Sequence, residues 1–204
     1  MSTLKQTGWA AAASGILMLV GIEAEWLLDP QRDDGTVTNL PVFVVLLLAA
    51  TTGFVLLLVA TRGLHRHLAR TKPARLGALA STVGAALLVL FGLSSLAGVV
   101  VTGSPVEAAF LAFLLGMLLL AVGTLTLAVS LRRRPPSAHV AALLMLAGGA
   151  AGSALVLEAD PWHDLALALM CGAWSALGLV LVRTARQARS ETAGDSATAN
   201  AYLR

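Results

Sequence analysis

Charged residues are scarce in this chain of 204 residues, of which they make up only 12%. A soluble domain normally carries about 25% charged residues. Hydrophobic residues account for 57% of the chain, and the mean hydropathy is +0.83. Because too few polar side chains remain to cover a water-facing surface, the composition excludes a soluble globular protein. It predicts an integral membrane protein in a lipid bilayer, built from helices that satisfy their own backbone amides.

Cysteine and histidine are also rare. Cys171 is the sole cysteine, so the chain can form neither an internal disulfide nor a Cys-x-x-Cys pair, which excludes a thiol-based quinone reductase. His65 and His67 lie in a basic loop, and His139 and His163 lie at predicted helix ends, so none is placed to ligate haem between facing helices. The sequence has no His-Glu-x-x-His zinc motif and no glycine-rich phosphate loop. We therefore expect no metal and no cofactor.

Apolar residues are concentrated in six blocks, each long enough to cross a hydrocarbon core of roughly 30 Å, which takes about 20 helical residues. The blocks are Trp9–Leu28, Leu40–Thr61, Leu76–Val101, Glu107–Leu131, Ala138–Leu157 and Trp162–Val182. They predict an all-α fold, a polytopic bundle of six transmembrane helices that forms one domain over residues 1–185. Residues 186–204 are small and polar, and their composition predicts a disordered cytoplasmic tail.

The basic residues set the predicted orientation. All but one of the 14 lysines and arginines fall before the first block, in the second and fourth loops, or after the sixth block, and Arg32 is the exception. The positive-inside rule therefore places both termini in the cytoplasm of a multi-pass plasma-membrane protein. Because the basic residues occur in short clusters between apolar blocks, they indicate topology and not binding to nucleic acid. The sequence indicates no particular oligomeric state.

Most of the acidic residues fall on the opposite, outer side. Glu23 and Glu25 lie near the outer end of the first helix, where partial desolvation would raise the pKa of a carboxyl toward neutrality, as a general acid requires. Helix geometry separates the two by about 200°, so they lie on different faces. Glu25 shares a stripe with Ser14 and Gly21, whereas Glu23 shares one with Ile16 and Leu19. We favour Glu25 as the inward-facing acid, and Glu23 remains the alternative.

A second polar group opens the sixth helix within Glu158-Ala-Asp160-Pro-Trp162-His163-Asp164. Asp160 is a predicted N-cap, and Asp164 shares a stripe with Cys171 and Ser175. Both acids also have a structural interpretation, because a negative charge suits the start of a helix. His163 is a candidate proton shuttle or a surface histidine.

Three tryptophans lie near or below the same outer face. Trp26 and Trp162 fit an interfacial aromatic belt. Trp174 lies about three turns into the sixth helix, too deep for such a belt, and is either a packing residue or the wall of a cavity.

This arrangement resembles small integral-membrane terpene cyclases, which occur in fungal meroterpenoid and in actinobacterial indole- or drimane-type sesquiterpenoid pathways. The likeness covers residues 9–182 and depends on an acid late in an early helix, Glu23 or Glu25, and an acid near a late helix, Asp160 or Asp164. It implies that one carboxylic acid protonates a lipophilic prenylated substrate of the farnesyl type, that a second carboxylate takes the final proton, and that no metal is needed.

The resemblance also implies that Trp26, Trp162, Trp174 and His163 line the substrate site, where aromatic faces stabilise carbocations by cation–π attraction. Two other classes of function are compatible with the residues. One is a small transporter of a cation or lipophilic solute. The other is a non-catalytic partner protein for membrane assembly.

Overall fold

The structure, a computed structural model, describes residues 3–28, 39–102, 106, 108–132, 138–157 and 161–201, with the backbone alone at residues 3, 23–28 and 188–201. All regular structure in these ranges is α-helical, which confirms the predicted fold class. The helices are α1 (Thr3–Leu28), α2 (Leu40–Leu68), α3 (Lys72–Thr102), α4 (Ala109–Leu131), α5 (Ala138–Ala154) and α6 (Trp162–Ala201). Each contains most of one predicted apolar block.

Several apolar helices indicate a membrane protein. Helices α2, α3 and α4 and the segment Trp162–Gln187 of α6 are long and apolar enough to cross a bilayer. The apolar helix α5 is shorter, with 17 residues. The helices extend past the predicted blocks mainly at the ends that carry lysine and arginine, because hydropathy detects only the apolar part of a helix.

The end of the chain differs from the predicted boundary. The composition of residues 186–204 predicts a disordered tail, whereas α6 continues as a helix through Ala201. Alanine recurs through this segment, at positions 188, 193, 197, 199 and 201, and it has the strongest intrinsic preference for a helix. That local preference competes with the polar composition from which the tail was predicted.

The six helices form a closed ring. Each helix packs against the next one along the chain, and α6 returns to pack against α1. Helices α1 and α2 run antiparallel: Thr7 of α1 lies against Gly63 of α2, and Gly21 of α1 lies against Ala50 of α2, so residue numbers rise along one helix as they fall along the other. We call the end of the ring where α1 ends and α6 begins, at Leu28 and Trp162, the outer end.

Small residues bring neighbouring helices into close contact, as their spacing predicts. A Cβ added at Gly84 of α3 would lie 2.6 Å from both the Gly116 oxygen and the Leu120 nitrogen of α4. A Cβ added at Gly77, two turns earlier on the same stripe, would lie 2.8 Å from the Gly123 oxygen. The stripe of small residues Gly77, Ser81 and Gly84 is therefore a surface of α3 that packs against α4.

The ring is filled by apolar side chains. Its largest fully buried side chains include Met18, Leu57, Leu88, Leu120, Leu144 and Trp174, one from each helix. Several buried hydroxyls bond back to their own helix: Thr51 donates to the Leu47 oxygen at 2.7 Å and Thr124 donates to the Leu120 oxygen at 2.7 Å. These hydroxyl groups therefore have a hydrogen-bond acceptor on their own helix and need none on another helix.

Candidate functional site

The first and last helices meet along a seam of small residues. A Cβ at Gly8 would lie 2.8 Å from the Gly178 oxygen, and a Cβ at Gly15 would fall onto the Cys171 oxygen and the Ser175 Oγ. The Ser175 hydroxyl also lies 3.4 Å from the Ala12 oxygen of α1. The stripe predicted on the sixth helix is therefore its contact surface with α1. Since residue numbers rise along α1 as they fall along α6, the seam leads both helices to the outer end.

Glu23 and Glu25 lie in the last turns of α1, where the structure describes the backbone but not the side chains. Positions seven residues apart on a helix lie within about 20° of one another. Position 25 therefore falls on the stripe of Met18, which is fully buried and lies against Gly53 of α2. Position 23 falls on the stripe of Ile16, whose side chain is 56% exposed. Helix periodicity thus places position 25 on the buried side of α1 that packs against α2, and position 23 on its exposed side.

The start of α6 carries the second part of the predicted site. Asp160 lies outside the described residues, and the Trp26 side chain does too. Asp164 is partly buried in the first turn of α6 and continues the stripe of Cys171 and Ser175 that packs on α1. On the facing helix, position 26 continues the stripe of Gly8 and Gly15. Asp164 therefore belongs to the seam between the two helices, and not to the stripe of α6 that faces the ring interior.

His163 links α6 to the preceding helix. Its Nδ1 lies 2.9 Å from the backbone oxygen of Ala154, the last residue of α5, and 3.2 Å from the oxygen of Leu157. The histidine therefore binds carbonyl groups that the end of a helix leaves without an intrahelical partner. The sequence shows a histidine beside a helix start, but these acceptors come from the preceding helix and turn, so sequence reasoning missed the contact.

The two tryptophans of α6 have opposite environments. Trp162 is 59% exposed on the outside of the ring. Trp174 has no exposed surface and is the largest fully buried side chain, and its Nε1 has no hydrogen-bond partner within the described part of the chain. The position of Trp174 agrees with its predicted depth below the outer end.

A row of phenylalanines was also missed by sequence reasoning. The ring of Phe91 in α3 lies 6.5 Å from that of Phe54 in α2 and 5.1 Å from that of Phe113 in α4, between centroids. Phe54 is buried, and Phe91 and Phe113 are partly buried. These residues are widely separated in sequence, so only the order of helices in the ring brings them together.

The phenylalanine row lies close to the depth of Trp174. Cys171 and Ser175, which flank Trp174, face Gly15 of α1, and Gly53, next to Phe54, faces Met18 of α1. Trp174 and Phe54 therefore stand at nearly the same height in the ring. We call Trp174, Phe54, Phe91 and Phe113 the aromatic layer. Gly53 faces both Ser14 and Met18, and position 25 lies 11 and 7 residues beyond them, hence roughly 10 to 16 Å above this layer.

Within the described ranges, no three histidine, cysteine, aspartate or glutamate side chains are grouped as metal ligands. Comparisons with protein-family models, curated proteins and solved structures found no match to this chain.

Proposed function

We propose that this chain is a multi-pass plasma-membrane protein with both termini in the cytoplasm, and that it cyclises a prenyl chain of the farnesyl type by protonation. The membrane orientation is supported by the basic residues at the inner end and by the antiparallel packing of α1 along α2 and α6. Because α1 contacts α2 from Thr7 to Gly21, it lies at the same depth as a helix that is long enough to cross the bilayer.

One feature supports the proposed activity: position 25 carries an acid and continues the buried stripe of Ser14, Met18 and Gly21, on the outer side of the aromatic layer. A carboxylic acid in apolar surroundings is favoured in its protonated form. Aromatic faces below it attract a carbocation, an interaction worth about 2 kcal/mol or more when desolvated. An acid at one end and aromatic rings at depth are the two elements that a proton-initiated cyclisation requires.

The reaction is an isomerisation. Glu25 donates its proton to an epoxide oxygen or a terminal alkene of the prenyl chain, and the chain becomes a cation. Internal double bonds attack the cationic carbon and close rings, while the aromatic layer stabilises the positive charge. A group at the start of α6 then removes one proton, the C–H electron pair becomes a double bond, and the proton count is restored. Asp164 and Asp160 are the carboxylates available there.

Transport of a cation is a less suitable function for this interior. A cation path would need polar side chains along the axis of the ring, where the largest buried side chains of the described residues are leucine, methionine and tryptophan. A lipophilic substrate suits the same surface, because burial of apolar area is favourable. It would reach the outer end of the ring from the bilayer.

The test is a comparison of two amide variants in membranes supplied with farnesylated substrates, with isomeric products resolved by mass spectrometry. Glu25→Gln removes the proposed acid and should lower the initial rate by about 10²- to 10⁴-fold, the usual contribution of a general acid. Glu23→Gln is the matched control, two residues away on the outward stripe, and should keep the wild-type rate. A Glu25→Gln protein that cyclises at the wild-type rate contradicts the proposal.

A further inference from the structure

The hydrogen bonds of His163 determine which of its ring nitrogens carries the hydrogen. Both groups within reach of Nδ1 are backbone carbonyl oxygens, of Ala154 at 2.9 Å and of Leu157 at 3.2 Å. A carbonyl oxygen only accepts hydrogen bonds, so Nδ1 must donate. In a neutral imidazole the lone pair is then on Nε2. Nε2 is therefore the atom through which His163 gains or loses a proton.

His163 lies on the buried side of α6. Position 163 lies within about 20° of the stripe of Met170 and Trp174, which are both fully buried. Asp164, the next residue, is rotated by about 100° onto the stripe that packs on α1. Of the two titratable side chains described at the start of α6, the histidine is the one on the stripe that leads down to the aromatic layer.

Building on the proposed cyclisation, we propose that Nε2 of His163 accepts the proton that ends the reaction. The C–H bond next to the cationic carbon breaks, its electron pair forms the product double bond, and the proton moves to Nε2. The resulting imidazolium releases its proton to water at the outer end, and the Glu25 carboxylate takes up a proton from water. The proton count is then unchanged, and the site is ready for another substrate.

His163 lies at the carboxyl end of α5, against the backbone oxygens of Ala154 and Leu157. Asp164 is the neighbouring titratable side chain on α6, and the side chains of Glu23 and Glu25 on α1 lie outside the described residues. On α5 and the turn after it, Glu158 and Asp160 lie outside the described residues.

Two variants, one with a side-chain amide and one without, separate proton transfer from positioning. In His163→Asn the side-chain amide can donate where Nδ1 did, but the residue has no basic nitrogen. His163→Ala loses both functions. We expect His163→Asn to unfold at nearly the wild-type temperature and to form product at least 100-fold more slowly. His163→Ala should be both less stable and inactive. A His163→Asn protein within twofold of the wild-type rate would overturn the proposal, because the contact with α5 alone would then explain the histidine.

A spectroscopic measurement checks the assignment without any turnover. In full-length protein labelled with ¹⁵N at its histidine rings and placed in lipid nanodiscs, the signals lost in His163→Asn belong to His163. The proposal requires a protonated Nδ1 and a non-protonated Nε2 in the neutral ring. The opposite tautomer would overturn it.

The two proposals fail in different ways. If Glu25→Gln is inactive and His163→Asn is active, the role of His163 is wrong and the cyclisation proposal stands. If the wild-type protein forms no product from any farnesylated substrate, the cyclisation proposal is wrong, and with it the role of His163 in that reaction.

Discussion

Replacing Gly15 by alanine puts a methyl group into the seam between α1 and α6. The new Cβ would fall onto the Cys171 oxygen and the Ser175 Oγ, and it would lie 2.8 Å from the Ser175 backbone nitrogen. Two of these three atoms belong to the backbone, so they cannot turn away as a flexible side chain would. The helices must move apart, and we expect an overpacking cost of about 2–3 kcal/mol, in the upper part of the usual range.

A gain in helix propensity opposes this cost. Alanine is favoured over glycine in a helix by about 1 kcal/mol, so Gly15→Ala should lower the free energy of unfolding by about 1–2 kcal/mol. The matched control is Gly172→Ala on the outside of α6, where a Cβ meets no described atom within 4 Å. This variant should gain stability by up to about 1 kcal/mol, so the two proteins should differ by about 2–3 kcal/mol.

The assay is reversible unfolding in mixed micelles with increasing SDS, followed by the loss of helical circular dichroism. Both variants carry the same chemical change, so their difference isolates the contact across the seam. If the two free energies of unfolding agree within about 0.5 kcal/mol, the order expected for a substitution that touches nothing, then α1 and α6 do not pack as described. The placement of Glu25 at the outer end would lose its support.

The same unfolding assay tests two further pairs of variants. A Cβ at Gly148 would meet the Thr124 Oγ1 and lie 3.0 Å from the Ala121 oxygen, whereas a Cβ at Gly149 would meet no described atom within 4 Å. Gly148→Ala should therefore be about 1–3 kcal/mol less stable than Gly149→Ala. Equal stabilities would contradict the contact of α5 with α4. Trp174→Ala should cost about 3–5 kcal/mol and Trp162→Ala less than about 1 kcal/mol, and a reversed order would refute the assigned depths.

The apolar blocks predicted the helices well, because spanning a bilayer demands both length and hydrophobicity. The predicted first residue of α2, α5 and α6 and the predicted last residue of α1 and α4 agree with the structure. Hydropathy placed the end of the second helix at Thr61, but α2 continues to Leu68. Its last turn contains basic residues, which form helices readily but are costly in lipid.

Packing faces were predictable, and packing partners were not. The spacing of Gly77, Ser81 and Gly84 indicates a close contact, since small residues allow backbones to approach. It does not indicate that the contact is with α4. The return of α6 to α1 depends on how the ring closes, which no local pattern contains.

The candidate site was predicted in part for the same reason. The buried side of α1 follows from helix periodicity, since Ser14 and Gly21 are buried and Ile16 is exposed. The side chain of residue 25 lies outside the described residues, so its inward direction stays a prediction. The contact of His163 with the end of α5 and the row of phenylalanines across three helices both depend on tertiary packing. Neither could be read from the spacing of residues.

The inward position of residue 25 is the claim on which the function depends, and spin-label accessibility measures it directly. In a Cys171→Ala background, which removes the native thiol, a nitroxide is attached at Glu25→Cys in one protein and at Glu23→Cys in another, both in lipid nanodiscs. The label at position 25 should be shielded from oxygen dissolved in the bilayer, and the label at position 23 should collide with it freely. Equal accessibility at the two positions, or a shielded label at position 23 alone, would contradict the account.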